Sequence, residues 1–361
     1  MVDPVADENR LPPARIAEAH AIAVAGRLAG STILCSSLGR AQAAVELASN
    51  RPQAAVTCWF LDHFAEGQAI AEVAPRDNLK FVCTADLPAG PFDTVVLPLS
   101  FRGEAELARD LIQDAHARLT IGGHLVVSVD NRNDRWVHGQ LREMFPKVSV
   151  DAGVDAVGYV VRKTAPQKRP RPLACRFTFR DRDRVLQIAS RPGVFSHRRL
   201  DPGARQLIDA LPHPLAGRDG EPLRIVDIGC GSGAVGVAIA ARDGSAAVEV
   251  LAIDSNARAV ECAARSAALN GVNSLTAVLD SAGESVAAAA YDVAVANPPY
   301  YADFRIARLF VDIANTALRP GGQLYLVTKH AAWYQENLVP GWRDANIRRS
   351  GQYFIVTARR G

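Results

Sequence analysis

The chain has 361 residues, of which 48% are hydrophobic and 22% charged, with a formal net charge of +3. Those values are ordinary for a soluble globular protein, and the length fits two domains at roughly 100–200 residues each. No apolar run is long enough for a bilayer, and the first ten residues do not read as a secretory signal. The charge is too small to demand a nucleic-acid partner by itself.

The six cysteines (Cys35, Cys58, Cys83, Cys175, Cys230, Cys262) form no Cys-x-x-Cys pair, so neither a zinc knuckle nor a disulfide framework is indicated. His124, His138 and His197 show no metal-ligand spacing. The expectation is a cytoplasmic protein with reduced thiols, no metal and no membrane segment.

After an Ala-rich start, strands are expected at 32–35, 54–60, 79–83 and 92–97, and helices at 41–48 and 105–119. Gly122-Gly123 reads as a turn before a strand at 124–129. Strands alternating with helices imply a parallel sheet. This half has only Ser36-Ser37-Leu38-Gly39-Arg40 after its first strand and Pro98-Leu99-Ser100 after the strand at Val95. It therefore reads as an α/β domain with nothing to hold a cofactor.

From 162 to 172, prolines alternate with Lys and Arg, and arginines continue to Arg199. The stretch reads either as a stiff, solvated connector or as a phosphate-contacting surface. A β-hairpin is expected at 177–188, a turn at 192–196, and a helix opened by Leu200-Asp201-Pro202-Gly203. The expected boundaries are 1–161 for the first domain, 162–190 for a basic linker and hairpin, and 191–361 for the second domain.

Ile225, Val226 and Ile228 form a short apolar strand holding Asp227. Gly229, Gly231 and Gly233 follow at alternate positions, and residues 234–240 read as a helix. A strand that breaks into glycines and re-enters a helix is a nucleotide-binding turn of a doubly wound domain. By itself it fits a dinucleotide or S-adenosylmethionine, and small residues there can also be mere packing. Asp254 ends the second strand, where a carboxylate accepts from ribose hydroxyls, a need common to both ligands. Asp227 favours a cationic ligand over a pyrophosphate. Asp280, ending the third strand, is placed to accept from an adenine amine.

The fourth strand, 291–296, runs into Asn297-Pro298-Pro299-Tyr300. A planar amine conjugated to a ring or carbonyl is a poor nucleophile. The Asn297 carboxamide oxygen and the Pro298 carbonyl can each accept one of its N–H groups and aim the nitrogen lone pair, so rate would come from positioning and polarisation. Pro299 fixes the backbone, and Tyr300 offers a face for a flat base. A helix at 306–318, a turn at 319–322 and strands at 323–328 and 353–358 complete the reading. Cys230, with no base near it in sequence, is a packing residue.

Asp227 to Gly233 together with Asn297 to Tyr300 resembles the class I S-adenosylmethionine-dependent methyltransferases that modify exocyclic or amide nitrogens. Pro192-Gly193-Val194-Phe195-Ser196 followed by Leu200-Asp201-Pro202-Gly203 is similar to the segment before the cofactor loop in the ribosomal RNA guanine-N2 methyltransferases, those acting on the RNA of the small or the large ribosomal subunit. The resemblance implies two tandem Rossmann-like methyltransferase domains, the N-terminal one degenerate. It also implies S-adenosylmethionine on Asp227, Gly229, Gly231, Gly233, Asp254 and Asp280, and a guanine amine at Asn297 to Tyr300. The partner would be ribosomal RNA or a ribosomal subunit, met by a monomer. One departure is Tyr300-Tyr301, where those enzymes have Phe then His. It leaves glutamine-amide or adenine-N6 methylation as an alternative. A non-catalytic RNA-binding or ribosome-assembly protein is the other.

Overall fold

The computed structural model describes residues 11–167, 170–212, 221–242, 248–299, 303–338 and 341–361. The chain divides into two compact units, Met1–Leu173 and Ala174–Gly361.

The first unit runs α1 (Ile16–Ala25), β1 (Thr32–Ser36), α2 (Gln42–Asn50), β2 (Ala55–Phe60), α3 (His63–Glu72), β3 (Leu79–Cys83), β4 (Phe92–Leu99), α4 (Ala105–Arg118), β5 (Leu119–Val129), α5 (Trp136–Met144), β6 (Val148–Ala152) and β7 (Val157–Arg162). The second runs β8 (Cys175–Asp181), β9 (Arg184–Ser190), α6 (Pro202–Ala210), β10 (Leu223–Ile228), α7 (Ala234–Arg242), β11 (Val248–Asp254), α8 (Ala257–Leu269), β12 (Leu275–Leu279), β13 (Tyr291–Ala296), α9 (Arg305–Ala317), β14 (Leu318–Thr328), α10 (Ala331–Asn337), β15 (Trp342–Ser350) and β16 (Tyr353–Arg360).

Each unit is built on a seven-stranded sheet, and the two strand orders correspond position for position. They are β3-β2-β1-β4-β5-β7-β6 and β12-β11-β10-β13-β14-β16-β15. In the second unit's seven-stranded sheet β10 pairs in parallel with β11 and β13, and β16 alone runs against the other strands, antiparallel to both β14 and β15. Such strands are covered on both faces, so they are apolar throughout rather than alternating. Ile225, Val295, Val327 and Ile355 share one core with Leu207 and Ile208 of α6 and Val237 of α7. Val226, Ala294, Leu326 and Val356 share another with Val311 of α9 and Tyr334 of α10. The first unit has the same two-sided core, with Leu34 and Val95 on one face and Ile33 and Val96 on the other.

Three features differ from the sequence expectations. Strands β5 and β14 begin before their glycine pairs instead of after them. Gly122 and Gly321 take positive φ, and a register shift in each strand pair lets the ladder continue past the kink. The division between units falls after Leu173, not across a connector at 162–190. Arg162 is the last ladder residue of β7, opposite His124, and the β8–β9 hairpin belongs to the second unit. Its Asp181 accepts from Arg242 at the end of α7 and from Arg205 of α6. Finally, α3, α5, β6, β7, α10 and β15 were not expected.

Candidate active site

The C-terminal ends of β10, β11 and β13 bring the expected residues together at the point where strand order reverses, the usual ligand crevice of an open α/β sheet. The first turn after β10 is set by backbone bonds. The Gly229 and Cys230 amides donate to the Ile253 carbonyl at 2.9 and 3.0 Å, and Gly233 donates to the Cys230 carbonyl at 2.9 Å. Gly229, Gly231 and Gly233 have φ of +70°, +54° and +79°, a region costly for any residue with a Cβ. A Cβ on Gly229 would come within 2.6 Å of the Phe310 ring, and one on Gly233 within 2.8 Å of the Ala263 backbone. A Cβ on Gly231 would meet nothing within 4 Å. Gly229 and Gly233 are thus needed for packing, whereas Gly231 borders open space.

The acidic residues differ in use. Asp254 accepts from the Gly231 amide through Oδ2 at 2.8 Å and from the Asn256 amide through Oδ1 at 2.9 Å. Asp227 is only 3% exposed, and its Oδ2 accepts from the Gly236 amide in α7 at 3.0 Å. Burial, with the charge of Asp254 adding to it, pushes its carboxyl up to about 7. Asp280 accepts from the amides of Ala282, Gly283 and Glu284 through Oδ1 and from the Ser285 amide and hydroxyl through Oδ2. Burial raises its pKa, but these bonds outweigh burial and hold it below the usual range. A carboxylate has about four acceptor sites, so Asp280 is taken up by its own loop. That use differs from the adenine contact expected of it.

Asn297 follows β13, and its Nδ2 donates to Asp201 Oδ2 at 2.9 Å. Asp201 caps α6 by accepting from the Ala204 amide at 2.9 Å. Pro298 and Pro299 follow directly, while Tyr300 and Tyr301 lie outside the described residues.

Sequence reasoning did not assign a site role to Asp201, Asn256, Arg258 or Phe310. Asn256 caps α8 through its Oδ1 and donates through Nδ2 to the Gly193 carbonyl at 2.7 Å. Arg258 is fully buried and donates to the Pro192 carbonyl at 2.8 Å. Together they hold the 192–196 turn beside the end of β11, with Phe195 70% exposed. The Asn immediately before α8 was the available signal, since such a residue is a strong helix cap. Cys230 is buried, which pushes its thiol well above its usual range, as suits a packing residue. Among the described residues no group of three or more His, Cys, Asp or Glu is arranged to hold a metal, and no helix is long and apolar enough to cross a membrane.

The first unit has no such cluster at the corresponding register. Aligned by strand ends and pairing, Cys35, Phe60 and Pro98 stand where the second unit has Asp227, Asp254 and Asn297. Beneath its first turn lies Glu18 of α1, fully buried, accepting from Ala43 N at 3.2 Å and Ser37 Oγ at 3.3 Å.

A glycine turn held by an acidic strand end, with an Asn-Pro-Pro segment one strand away, defines the second unit as a domain of the class I methyltransferase type. Residues 185–358 match the family described as "Methyltransferase small domain". The chain is 33% identical over 183 residues to a ribosomal RNA small subunit methyltransferase C of Chromohalobacter salexigens, covering 48% of this chain and 53% of that protein. It is 29% identical over 335 residues to a ribosomal RNA large subunit methyltransferase G of Streptomyces avermitilis, covering 86% of this chain and 82% of that protein. In two of the relatives that act on the small subunit the match spans about half of their length, 53% and 58%. The fold superposes, with a TM-score of 0.76 and 22% identity, on a T. thermophilus 16S rRNA N2 methyltransferase solved with AdoMet and guanosine, covering 93% of this chain and 89% of that one.

Proposed function

We propose that this chain transfers a methyl group from S-adenosylmethionine to the exocyclic N2 amine of a guanine in ribosomal RNA. The observation that carries the reading is the placing of Asn297 and Pro298 at the end of β13, beside β10 and the glycine turn that Asp254 holds. The relatives named as ribosomal RNA methyltransferases C and G, and the neighbour bound to AdoMet and guanosine, support it.

The turn fits such a cofactor, because open space lies where a Cβ of Gly231 would be. S-adenosylmethionine, when bound, supplies a methyl made electrophilic by its sulfonium. Asp254 would accept from the ribose hydroxyls, and Asp227 would lend negative charge opposite the methionine ammonium. Gly229, Gly231 and Gly233 would admit the ligand to the backbone, and the loop shaped by Asp280 would border the adenine. Asn297 Oδ1 and the Pro298 carbonyl would accept the two N–H groups of the target amine, with Pro299 stiffening the segment and Tyr300 stacking on the base. The nitrogen lone pair then forms the new N–C bond as the C–S bond breaks, and the amine proton is lost to solvent. A base in a helix must leave its stack to reach this segment.

The second unit carries the chemistry in this reading. The first unit and the arginines of the 162–199 stretch position the RNA or a ribosomal subunit, and the protein acts as a cytoplasmic monomer.

The test is transfer of labelled methyl from S-adenosylmethionine to undermethylated small subunits, large subunits, naked rRNA and release factor, followed by nucleoside and peptide mass analysis. N2-methylguanosine in one rRNA is expected. Label in protein or as N6-methyladenosine would overturn the target. In the same assay Asn297→Ala should lower transfer by at least about 100-fold with cofactor affinity kept, and lost cofactor binding would show the residue to be misassigned.

A further inference from the structure

We propose that Asp201 is a positioning residue that fixes which end of the Asn297 carboxamide faces the target amine. The inference rests on the reading of Asn297 given above.

A carboxamide has a donor end and an acceptor end of nearly equal shape, and its function depends on which one points at the substrate. An outward oxygen accepts an N–H and favours an amine. An outward NH2 would instead favour a carbonyl and turn the amine away. The choice is made by the neighbour, and here the neighbour is a carboxylate. Asp201 Oδ2 lies 2.9 Å from Asn297 Nδ2. An ionised carboxylate can only accept, so the NH2 end must face it. The oxygen end is left on the other side of the amide.

Asp201 is itself held. The same Oδ2 accepts the Ala204 amide at 2.9 Å, which ties it to the first turn of α6. That helix is anchored by Leu207 and Ile208, both fully buried in the core that β13 and β14 help to form. Gly203 makes room for the pair. A Cβ there would fall 2.8 Å from Asp201 Oδ2 and 3.3 Å from Asn297 Oδ1. The two partners are 96 residues apart in sequence, so a helix that precedes the cofactor strand sets the polarity of an amide that follows the fourth strand.

Asp201→Ser and Asp201→Asn separate this role from helix capping. Both residues are good N-caps. Serine is too short to reach Asn297, whereas asparagine can present an oxygen to both Ala204 and Asn297. We expect the serine variant to lose roughly ten- to a hundredfold in kcat, the scale of a misplaced reacting group. Its cofactor Kd and Tm should stay close to wild type. The asparagine variant should keep kcat within about tenfold. Wild-type kcat in the serine variant, or equal losses in both, would overturn the proposal.

A second readout does not depend on activity. The 15N-labelled carboxamide signals of Asn297, assigned by their loss in Asn297→Ala, should be slow to exchange in wild type and the asparagine variant but fast in the serine variant. The same exchange rate in all three would overturn the orientation. Should wild type make no N2-methylguanosine, the functional reading fails, and this exchange experiment still decides the role of Asp201.

Discussion

Asp254 Oδ2 accepts the Gly231 amide at 2.8 Å, so the carboxylate that ends β11 also pins the glycine turn that follows β10. Its other oxygen takes the Asn256 amide at 2.9 Å. These two bonds fix the carboxylate's rotamer before any ligand arrives, which lowers the ordering cost of binding. Asp254→Ala removes both the turn's anchor and the ribose acceptor. Hydrogen bonds to a charged group are worth about 1.5–3 kcal/mol, so the S-adenosylmethionine Kd should rise by roughly tenfold or more. Calorimetric titration checks this, and an unchanged Kd would sink the ribose assignment.

Asp227 makes stability and binding depend on pH. Burial raises its carboxyl to about 7 from an ordinary 3.8. The folded state therefore holds the proton more tightly than the unfolded state. The protonated form keeps full stability below about pH 4, and stability falls as pH rises through the window up to about 7, by as much as about 4 kcal/mol. Asp227→Asn keeps an acceptor for the Gly236 amide and removes the buried charge. The variant should have a higher Tm than wild type at pH 8 without ligand, and a flatter Tm between pH 4 and 7. A cationic ligand should draw the proton off wild-type Asp227. Its affinity should rise toward pH 7, with proton release visible as a buffer-dependent binding enthalpy. No release, and equal affinity in the variant, would mean that the ligand does not feel this charge.

The parts of the fold that were legible were those where one physical demand dominates. Strands β10 and β13 are buried on both faces, so Ile225, Val226 and Val293 to Ala296 form unbroken apolar runs that no loop would have. Helix α8 shows itself by Asn256 before it and Asn270-Gly271 after it. By contrast, β15 is an edge strand reading Trp-Arg-Asp-Ala-Asn-Ile-Arg-Arg-Ser, largely exposed, with no apolar face to betray it. Helix α3 buries only Ala69 and contains Gly67, so it has no broad apolar face to mark it. At the site, Asp227, Asp254 and Asn297 stood out because each ends or follows an apolar strand. Asp280 stood out for the same reason, yet its loop uses it. Asp201 reads from sequence only as part of a helix start, since nothing local says that a capping carboxylate will also reach a residue so far along the chain.

Gly229 and Phe310 form a pair that can be tested as a cycle. A Cβ at Gly229 would lie 2.6 Å from the Phe310 Cε2 and Cζ, and φ there is +70°. Gly229→Ala should cost about 1–2 kcal/mol for the left-handed backbone and a further 1–3 kcal/mol for the overlap. In a Phe310→Ala background only the first part should remain. Urea unfolding of the four proteins gives the coupling, and strict additivity would show that the ring does not close on the turn.

Asp181 ties the β8–β9 hairpin to α6 and α7 of the second unit. It receives Arg242 Nε at 2.8 Å and Nη2 at 3.1 Å, with both side chains almost wholly buried, and Arg205 Nη2 at 3.3 Å. Burial raises the Asp181 pKa, but the Arg242 bonds and charge outweigh burial, followed by those of Arg205, and the net shift is downward. A depressed carboxyl stabilises the fold above its unfolded pKa near 4, and that contribution is lost as pH falls through the lower folded value. Arg242→Ala leaves a buried carboxylate with Arg205 alone, which should cost about 3–5 kcal/mol at pH 7. The gap between variant and wild type should narrow below about pH 4, where the unpaired carboxylate can take a proton. Denaturant unfolding at the two pH values measures both. A loss below about 1 kcal/mol at pH 7, the range of an exposed pair, would place Asp181 in solvent and free the hairpin from α7.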